Sequence, residues 1–195
     1  MAVVTPMATR PDPAAGGLRD ELVVLLTPDG QPCGTARKAE VHQATTPYHL
    51  AFSCYVFDAR GRLLVTRRAL SKVTWPGVWT NSCCGHPGPG EQVDRAVVRR
   101  LGQELELVPR KLRLTLPQFS YRASLHAVEE HELCPVFLAR VDSDPVPEPT
   151  EVDDVAWCSF EEFHARATRE GSDLSPWARL QVEQLAPHVE RFLAV

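Results

Sequence analysis

Val93, Val97, Leu101 and Leu105 recur at four-residue spacing with Ala96 alongside, drawing one apolar stripe through residues 91–107 and predicting an amphipathic helix. Gly102 weakens that helix by up to about 1 kcal/mol relative to alanine, so it must lean on packing. Glu104 falls on or beside the stripe, where a glutamate is rare unless paired. Upstream, ELVVLLTPDGQPCGT is a short apolar run closed by Pro-Asp-Gly, hence a strand and a turn. Residues 38–48 are polar and irregular. HLAFSCYVFD and RLLVTRR then read as strands joined by Ala59, Arg60 and Gly61, a hairpin. A basic loop, ALSKVTWPG, leads into the short strand VWTNS. Beyond the helix two strands are expected, near 112–123 and 129–141. A Pro/acid loop, DSDPVPEPTEVDD, runs into VAWCS, and two helices close the chain, SFEEFHARATRE and roughly 176–193. Strands fill the middle and helices frame it. The pattern predicts a single α+β (or α/β) domain over 20–195, with a mixed central sheet flanked by helices. Residues 1–19, rich in Ala, Pro, Thr and Gly without periodicity, are expected to form a flexible tail.

Bulk composition narrows the function classes more than the fold. With 195 residues, 44% hydrophobic and 24% charged, the chain has the make-up of one ordinary globular domain. A formal charge of −4 gives no global attraction to nucleic acid, so any polyanion site must be a local basic patch. No apolar run approaches the ~18 residues a membrane helix needs, and no secretory signal opens the sequence. Six cysteines (Cys33, Cys54, Cys83, Cys84, Cys134, Cys158) show no disulfide framework and are expected to be reduced, in the cytoplasm. Nothing in the pattern demands more than a monomer.

Candidate chemistry concentrates in two stretches. In TNSCCGHPGPGEQVDRAVVRRLGQE, Cys84 stands at a strand-to-loop transition two residues before His86, near a helix N-terminus and basic groups, each of which lowers a thiol pKa. Cys83 points the other way if the strand persists, toward packing. In VEEHELCPVFLA, alternation puts Val128, Glu130, Glu132, Cys134 and Val136 on one inward face. Two like charges that close raise one pKa strongly unless a cation lies between them. With imidazoles from His42, His49 and His86 they would make a mixed N/O site suited to Mn²⁺, Fe²⁺ or Zn²⁺. Spacing alone does not tie those histidines together. His126, His131, His164 and His188 read as surface or core residues. Lys38, Arg67, Arg68, Lys72, Arg99 and Arg100 supply a basic set, with Arg100 four residues before Glu104 on the same helix face. Arginine and lysine with a carboxylate-held Mg²⁺ are the usual solution for a diphosphate. A solvated charged face is the bland alternative. A zinc knuckle through Cys83, Cys84 and His86 lacks a second ligand pair to close it.

TNSCCGHP, RRALSK with WPGVWTNS, HELCPVF, FSYRA and LSPWA, in this chain's order, resemble a type I isopentenyl-diphosphate isomerase, over about residues 21–177. The resemblance implies a Nudix-like fold. Gly85, Glu91, Arg99, Leu101, Glu104 and Leu107 fall at Nudix spacing, while Arg100 and Gln103 stand where a hydrolytic box carries glutamates. Glu106 stands where a helix-ending glycine is normal. The resemblance further implies that Cys84 and Glu132 are catalytic, and that His42, His49, His86, Glu130 and Glu132 bind one divalent metal, Mn²⁺ or Zn²⁺. Glu104 and the Cys84 backbone would meet a Mg²⁺ accompanying the substrate diphosphate. Lys38, Arg68, Lys72 and Arg100 would contact that diphosphate, Tyr121 would sit beside the catalytic glutamate, and Trp177 would cover the site. Isopentenyl and dimethylallyl diphosphate would interconvert by protonation and deprotonation through a carbocation-like state, without a redox cofactor. A Nudix hydrolase is the competing enzyme, disfavoured by the missing carboxylates. A non-catalytic metal module would leave the basic patch without purpose.

Overall fold

The computed structural model of the chain describes residues 21–41, 45–125 and 128–194. The expected tail, His42 and His126 lie outside them. In chain order the elements are β1 (Leu22–Leu26), β2 (Pro32–Arg37), α1 (Lys38–Val41), β3 (His49–Leu50), β4 (Phe52–Phe57), β5 (Leu63–Arg68), β6 (Trp79–Thr80) and β7 (Cys83–Gly85). There follow α2 (Val93–Leu105), β8 (Lys111–Leu116), β9 (Ser120–Leu125), β10 (Val128–Leu133), β11 (Val136–Arg140), β12 (Val152–Cys158), α3 (Phe160–Thr168) and α4 (Pro176–Leu193). The α+β reading holds, and the sheet comes in two parts. One has the order β2-β1-β3-β10-β9; the other runs β12-β5-β4-β11-β8, with β6 on β5 and β7 on β4. Each is mixed, because β3 pairs parallel to β10 and β4 parallel to β11.

The two parts share their central strands. β3 continues into β4 past Ala51, and β10 into β11 past Cys134 and Pro135. Proline has no N–H to give a ladder, so the register breaks there. Ala51 N–H still donates to Leu133 O at 2.8 Å and Ser53 N–H to Pro135 O at 3.1 Å, so the two chains stay zipped through the bend. The strand expected over 112–123 likewise divides at Pro117 into β8 and β9.

β4 is buried along its whole length, because the larger sheet is covered on both faces. Tyr55, Phe57, Leu63, Val65, Val136 and Leu138 meet Phe163, Val182, Leu185 and Phe192 of the last two helices. On the other face Cys54, Val56, Leu64, Phe137 and Ala139 meet Ala96, Val97, Leu101 and Leu105 of α2, the stripe read from the sequence. Ser159 caps α3 in a reciprocal capping box with Glu162, and Ser175 caps α4 ahead of Pro176. Among the described residues no helix is long and apolar enough to cross a membrane.

Candidate active site

Where the two sheets part, a cavity of about 390 Å³ opens. Its wall holds Lys38, Arg68, Lys72, Cys84, His86, Arg100, Tyr121, Glu130, Glu132 and Trp177, so most of the side chains singled out in the sequence meet in one place.

Strand geometry delivers the carboxylates. Glu130 and Glu132 share the inner face of β10 and are only 6% and 5% exposed. Parallel pairing sets Glu132 opposite His49 on β3, and antiparallel pairing sets it opposite Tyr121 on β9. Glu132 Oε1 lies 3.1 Å from His86 Nε2 and 3.4 Å from His49 Nε2, and the two imidazole nitrogens are 3.3 Å apart. His49 Nδ1 sits 2.9 Å from Pro47 O, which fixes a proton on Nδ1 and turns Nε2 inward. Tyr121 OH lies 2.5 Å from Glu130 Oε2 and 2.9 Å from Glu132 Oε2, so its single proton goes to one acid while its oxygen can accept from the other when that one is protonated, bridging the pair. Burial and the Glu132 charge raise the Glu130 carboxyl above its ordinary value. Burial also opposes ionisation of Glu132, but its bonds to His49 and His86 hold it well below the usual range. Burial drives His86 down to about 4, so it is a neutral imidazole. One ligand atom each from His49, His86 and Glu132 fits within 4.8 Å, an imidazole and carboxylate set suited to a divalent cation. His42, the other expected ligand, lies outside the described residues, and Glu130 joins the set only through Tyr121.

The thiol sits on a different wall. β7 pairs with β4 so that Cys84 opposes Ser53 and Cys83 opposes Cys54. Cys83 is buried in the core against α2, which leaves Cys84 alone facing the cavity. Gly85 follows because a side chain there would collide at 3.0 Å with Arg100 Cγ and the Phe52 ring. The expectation of a lowered thiol pKa is corrected: burial outweighs the Arg68 charge and pushes Cys84 up to about 11. Cys84 is therefore a protonated thiol at neutral pH, fit to donate.

What holds the thiol was missed in the sequence. Fully buried Asn81 donates from Nδ2 to Cys54 O (3.0 Å) and Cys83 O (2.9 Å), which fixes its amide. Its Oδ1 then receives Thr80 Oγ1 (2.8 Å), Trp177 Nε1 (3.1 Å) and Cys84 Sγ (3.2 Å). On the other side Ser53 Oγ lies 3.5 Å from Cys84 Sγ and accepts from Gln181 Nε2 at 3.0 Å. Tyr55 OH closes that chain on Gln181 Oε1 at 2.8 Å. One buried amide oxygen thus sets both the thiol and Trp177. In the sequence Asn81 reads only as part of the short strand VWTNS, whereas β6 ends at Thr80 and Asn81 follows it.

Trp177, 2% exposed, packs edge-on to Trp75 at 5.6 Å and tilted to Tyr121 at 5.9 Å. Arg68 lies over its ring at 5.7 Å. The Arg68 guanidinium also binds the basic loop, from Nη2 to Thr74 O (2.7 Å) and Thr74 Oγ1 (2.8 Å), and from Nε to Trp75 O (3.2 Å). Lys38 holds Glu21 at 2.6 Å. Arg100 holds Glu104 at 2.6 Å and Glu151 at 3.1 Å, and Lys72 pairs with Glu151. Glu104 does not line the cavity itself; it reaches that wall through Arg100. Arg67 and Arg99, also in the basic set, turn elsewhere: Arg67 to Asp153 (2.6 Å) and Arg99 to Glu91 (2.8 Å).

A NUDIX domain model matches residues 47–178, more than half the chain. The isopentenyl-diphosphate Delta-isomerase of Saccharopolyspora erythraea is 53% identical over 166 residues, which cover 85% of this chain and 86% of that one. The protein of the same name from Frankia alni is 55% identical over 82% of each chain. Among solved structures, DR0079 from Deinococcus radiodurans superposes with a TM-score of 0.65 at 20% identity, over 84% of this chain and 98% of that one. The MutT protein from Methanosarcina mazei Go1 gives 0.57 at 21% identity, over 72% and 94%. At those identities the structural likeness speaks for the fold alone.

Proposed function

The chain belongs to the isopentenyl-diphosphate Delta-isomerases, a NUDIX-domain family, and from that membership we propose how its cleft divides the work of moving a double bond. The reaction interconverts isopentenyl and dimethylallyl diphosphate, a step of isoprenoid biosynthesis. An unactivated alkene is a poor base, so protonation of its terminal carbon passes through a tertiary carbocation-like state. Loss of a proton from the neighbouring CH₂ then yields the allylic product. The work requires an acid, a base, a dry pocket and an anchor for the small hydrocarbon.

Cys84 is the acid when isopentenyl diphosphate is the substrate, and Glu132 is the base. What supports this division is the contrast between a thiol whose burial keeps its proton and a carboxylate held ionised. For the reverse reaction the roles exchange. Tyr121, bonded to both carboxylates, orients Glu132 and supplies a donor as its charge changes. The Trp177 face meets the developing cation by cation–π attraction, worth about 2 kcal/mol or more when desolvated. Lys38, Arg68, Lys72 and Arg100 grip the diphosphate and hold the alkene between acid and base.

His49, His86 and Glu132, with His42 and Glu130, would hold a divalent cation, Mn²⁺ or Zn²⁺ by donor type, and Glu104 with the Cys84 backbone would meet a Mg²⁺ entering with the diphosphate. When bound, these ions supply fixed positive charge that keeps the buried carboxylates ionised and neutralises phosphate. The substrate is a small isoprenoid diphosphate, and the enzyme acts as a cytoplasmic monomer.

The observation that carries the reading is the meeting of one thiol, two buried carboxylates and a basic set around a single cavity. Incubation with isopentenyl diphosphate and divalent metal should yield dimethylallyl diphosphate. Cys84→Ala should abolish nearly all turnover and Cys83→Ala keep most of it, measured by product identification. Equal losses at both cysteines would remove the thiol from the mechanism. Phosphate release without an allylic product would make the chain a hydrolase.

A further inference from the structure

Three cations of the cleft, Lys38, Lys72 and Arg100, are already paired with carboxylates of the chain itself. Most of these pairs follow from helix spacing or lie at the edge of the cleft, but Glu151 has no such origin. It comes from the Pro/acid loop before β12, far from the Cys84 and Glu132 stretches in sequence, and it is 8% exposed. Its Oε1 lies 3.1 Å from Arg100 Nη2 while its Oε2 bonds Lys72 Nζ, and all three residues line the cavity. Ala69 N–H donates to the backbone carbonyl of Glu151 at 3.0 Å, which ties the Glu151 backbone to the segment that leads to Lys72. A carboxylate that offers one oxygen to each of two cations makes the contacts that two oxygens of a phosphate would make.

Resting on the reading of this cleft as a diphosphate site, we propose that Glu151 is its internal counter-anion, holding Lys72 and Arg100 in the substrate-free enzyme and yielding them to the diphosphate. Arg100, 4% exposed, has Glu104 at 2.6 Å as a second counter-charge, whereas half-enclosed Lys72 depends on Glu151 for its anion. Burial and the neighbouring Arg68 push Lys72 toward its neutral form, which the Glu151 charge resists. Glu151 thus keeps the cations charged and ordered between turnovers. It also competes with substrate, lowering affinity and easing product release.

Glu151→Gln keeps the shape and removes the charge. Binding of inorganic pyrophosphate with Mg²⁺, measured by titration calorimetry, should tighten about tenfold, which corresponds to about 1.4 kcal/mol. The KM for isopentenyl diphosphate should fall with it. Asp153→Asn, two residues on, removes a carboxylate that holds Arg67 away from the cavity and should leave binding unchanged. Lys72→Ala should weaken pyrophosphate binding. If Glu151→Gln binds pyrophosphate equally or more weakly while Lys72→Ala weakens it, Glu151 is not a competitor, and the diphosphate reading of the cleft survives. If neither variant alters binding, that reading fails and takes the proposal with it. Equal tightening in Glu151→Gln and Asp153→Asn would reduce the effect to a general field and overturn the proposal. Should Glu151→Gln fail to fold, Glu151→Asp keeps the charge but is one carbon too short to span both cations. It should also tighten binding, by a smaller factor, and weakened binding would overturn the proposal.

Discussion

Asn81 carries three donors on one oxygen, one more than its two lone pairs serve well. Thr80 and Trp177 are the stronger donors and the thiol is the weakest, so Cys84 keeps its position yet can release its proton toward a substrate at little cost. Asn81→Ala should leave the cations and carboxylates of the cleft intact while freeing the thiol and the tryptophan together. We expect kcat to fall about 10²-fold, the scale of a misplaced reacting group, with KM for isopentenyl diphosphate little changed. Steady-state kinetics beside the metal content decide it, since a collapsed site would move KM and metal as well. The contrast between Asn81 and Glu132 shows what was legible among single residues. Glu130 and Glu132 stood out because two-residue alternation put charges on a face that continued into Cys134 and Val136, where burial makes carboxylates costly. Cys84 and the basic set were readable through their motifs. Asn81, Ser53, Gln181 and Glu151 act through partners up to 128 residues away, and a polar residue's distant partner leaves no local mark.

At the level of elements, periodicity named the three longer helices well, missed the four-residue α1 in the stretch read as irregular, and placed the strand breaks poorly. Alternation runs unbroken from Val128 through Val136, so nothing but Pro135 signalled that β10 ends and β11 begins in another sheet. That switch is what brings the Glu132 end of β10 beside β3 and opens the cleft. The end of α2 was flagged, because Glu106 replaces the expected glycine. The structure shows why glycine would suit: Glu106 adopts φ 53° and ψ 28°, donates its N–H to Gly102 O, and turns the chain so that Leu107 buries completely. A side chain in the left-handed region costs about 1 kcal/mol or more, which the burial of Leu107 offsets. Glu106→Gly should therefore raise stability by about 1 kcal/mol, shifting Tm upward by several degrees in a thermal melt, with turnover unchanged. A lower Tm would mean that the glutamate side chain stabilises this turn in some other way.

Across the whole molecule, the two buried acids couple metal binding to stability. Glu130 and Glu132 sit on β10, which runs on past Cys134 and Pro135 into β11 of the other sheet. Without a cation, burial and the Glu132 charge raise the Glu130 carboxyl above the ordinary value of 4.5, so the folded protein binds a proton that the unfolded chain has released. Stability then falls as pH rises from that value through the raised one, because the native state holds more protons across the window. The sign is opposite to that of Glu151, whose burial opposes ionisation but whose pairing with Arg100 and Lys72 lowers it to about 2, stabilising the fold above 4.5 and losing that contribution in acid. Those two effects occupy different pH ranges, but burial keeps His86 neutral down to about 4, so its contribution rises with pH across the window in which that of Glu130 falls. In chelator, Glu130 tilts Tm downward as pH rises while His86, held near 4, tilts it upward below the ordinary 6.5, so between about 5 and 7 the wild-type curve should rise less, or fall more, than that of Glu130→Gln, and enzyme loaded with Mn²⁺ should be more stable throughout. Glu130→Gln should make the slope of the metal-free protein more positive, since it removes the group that must give up its proton and leaves the opposing His86 contribution. Differential scanning calorimetry at several pH values reads all three. A metal-free Glu130→Gln protein whose slope equals that of the wild type would show that Glu130 takes up no proton on folding, and the cation would then not be needed to keep the pair of acids ionised.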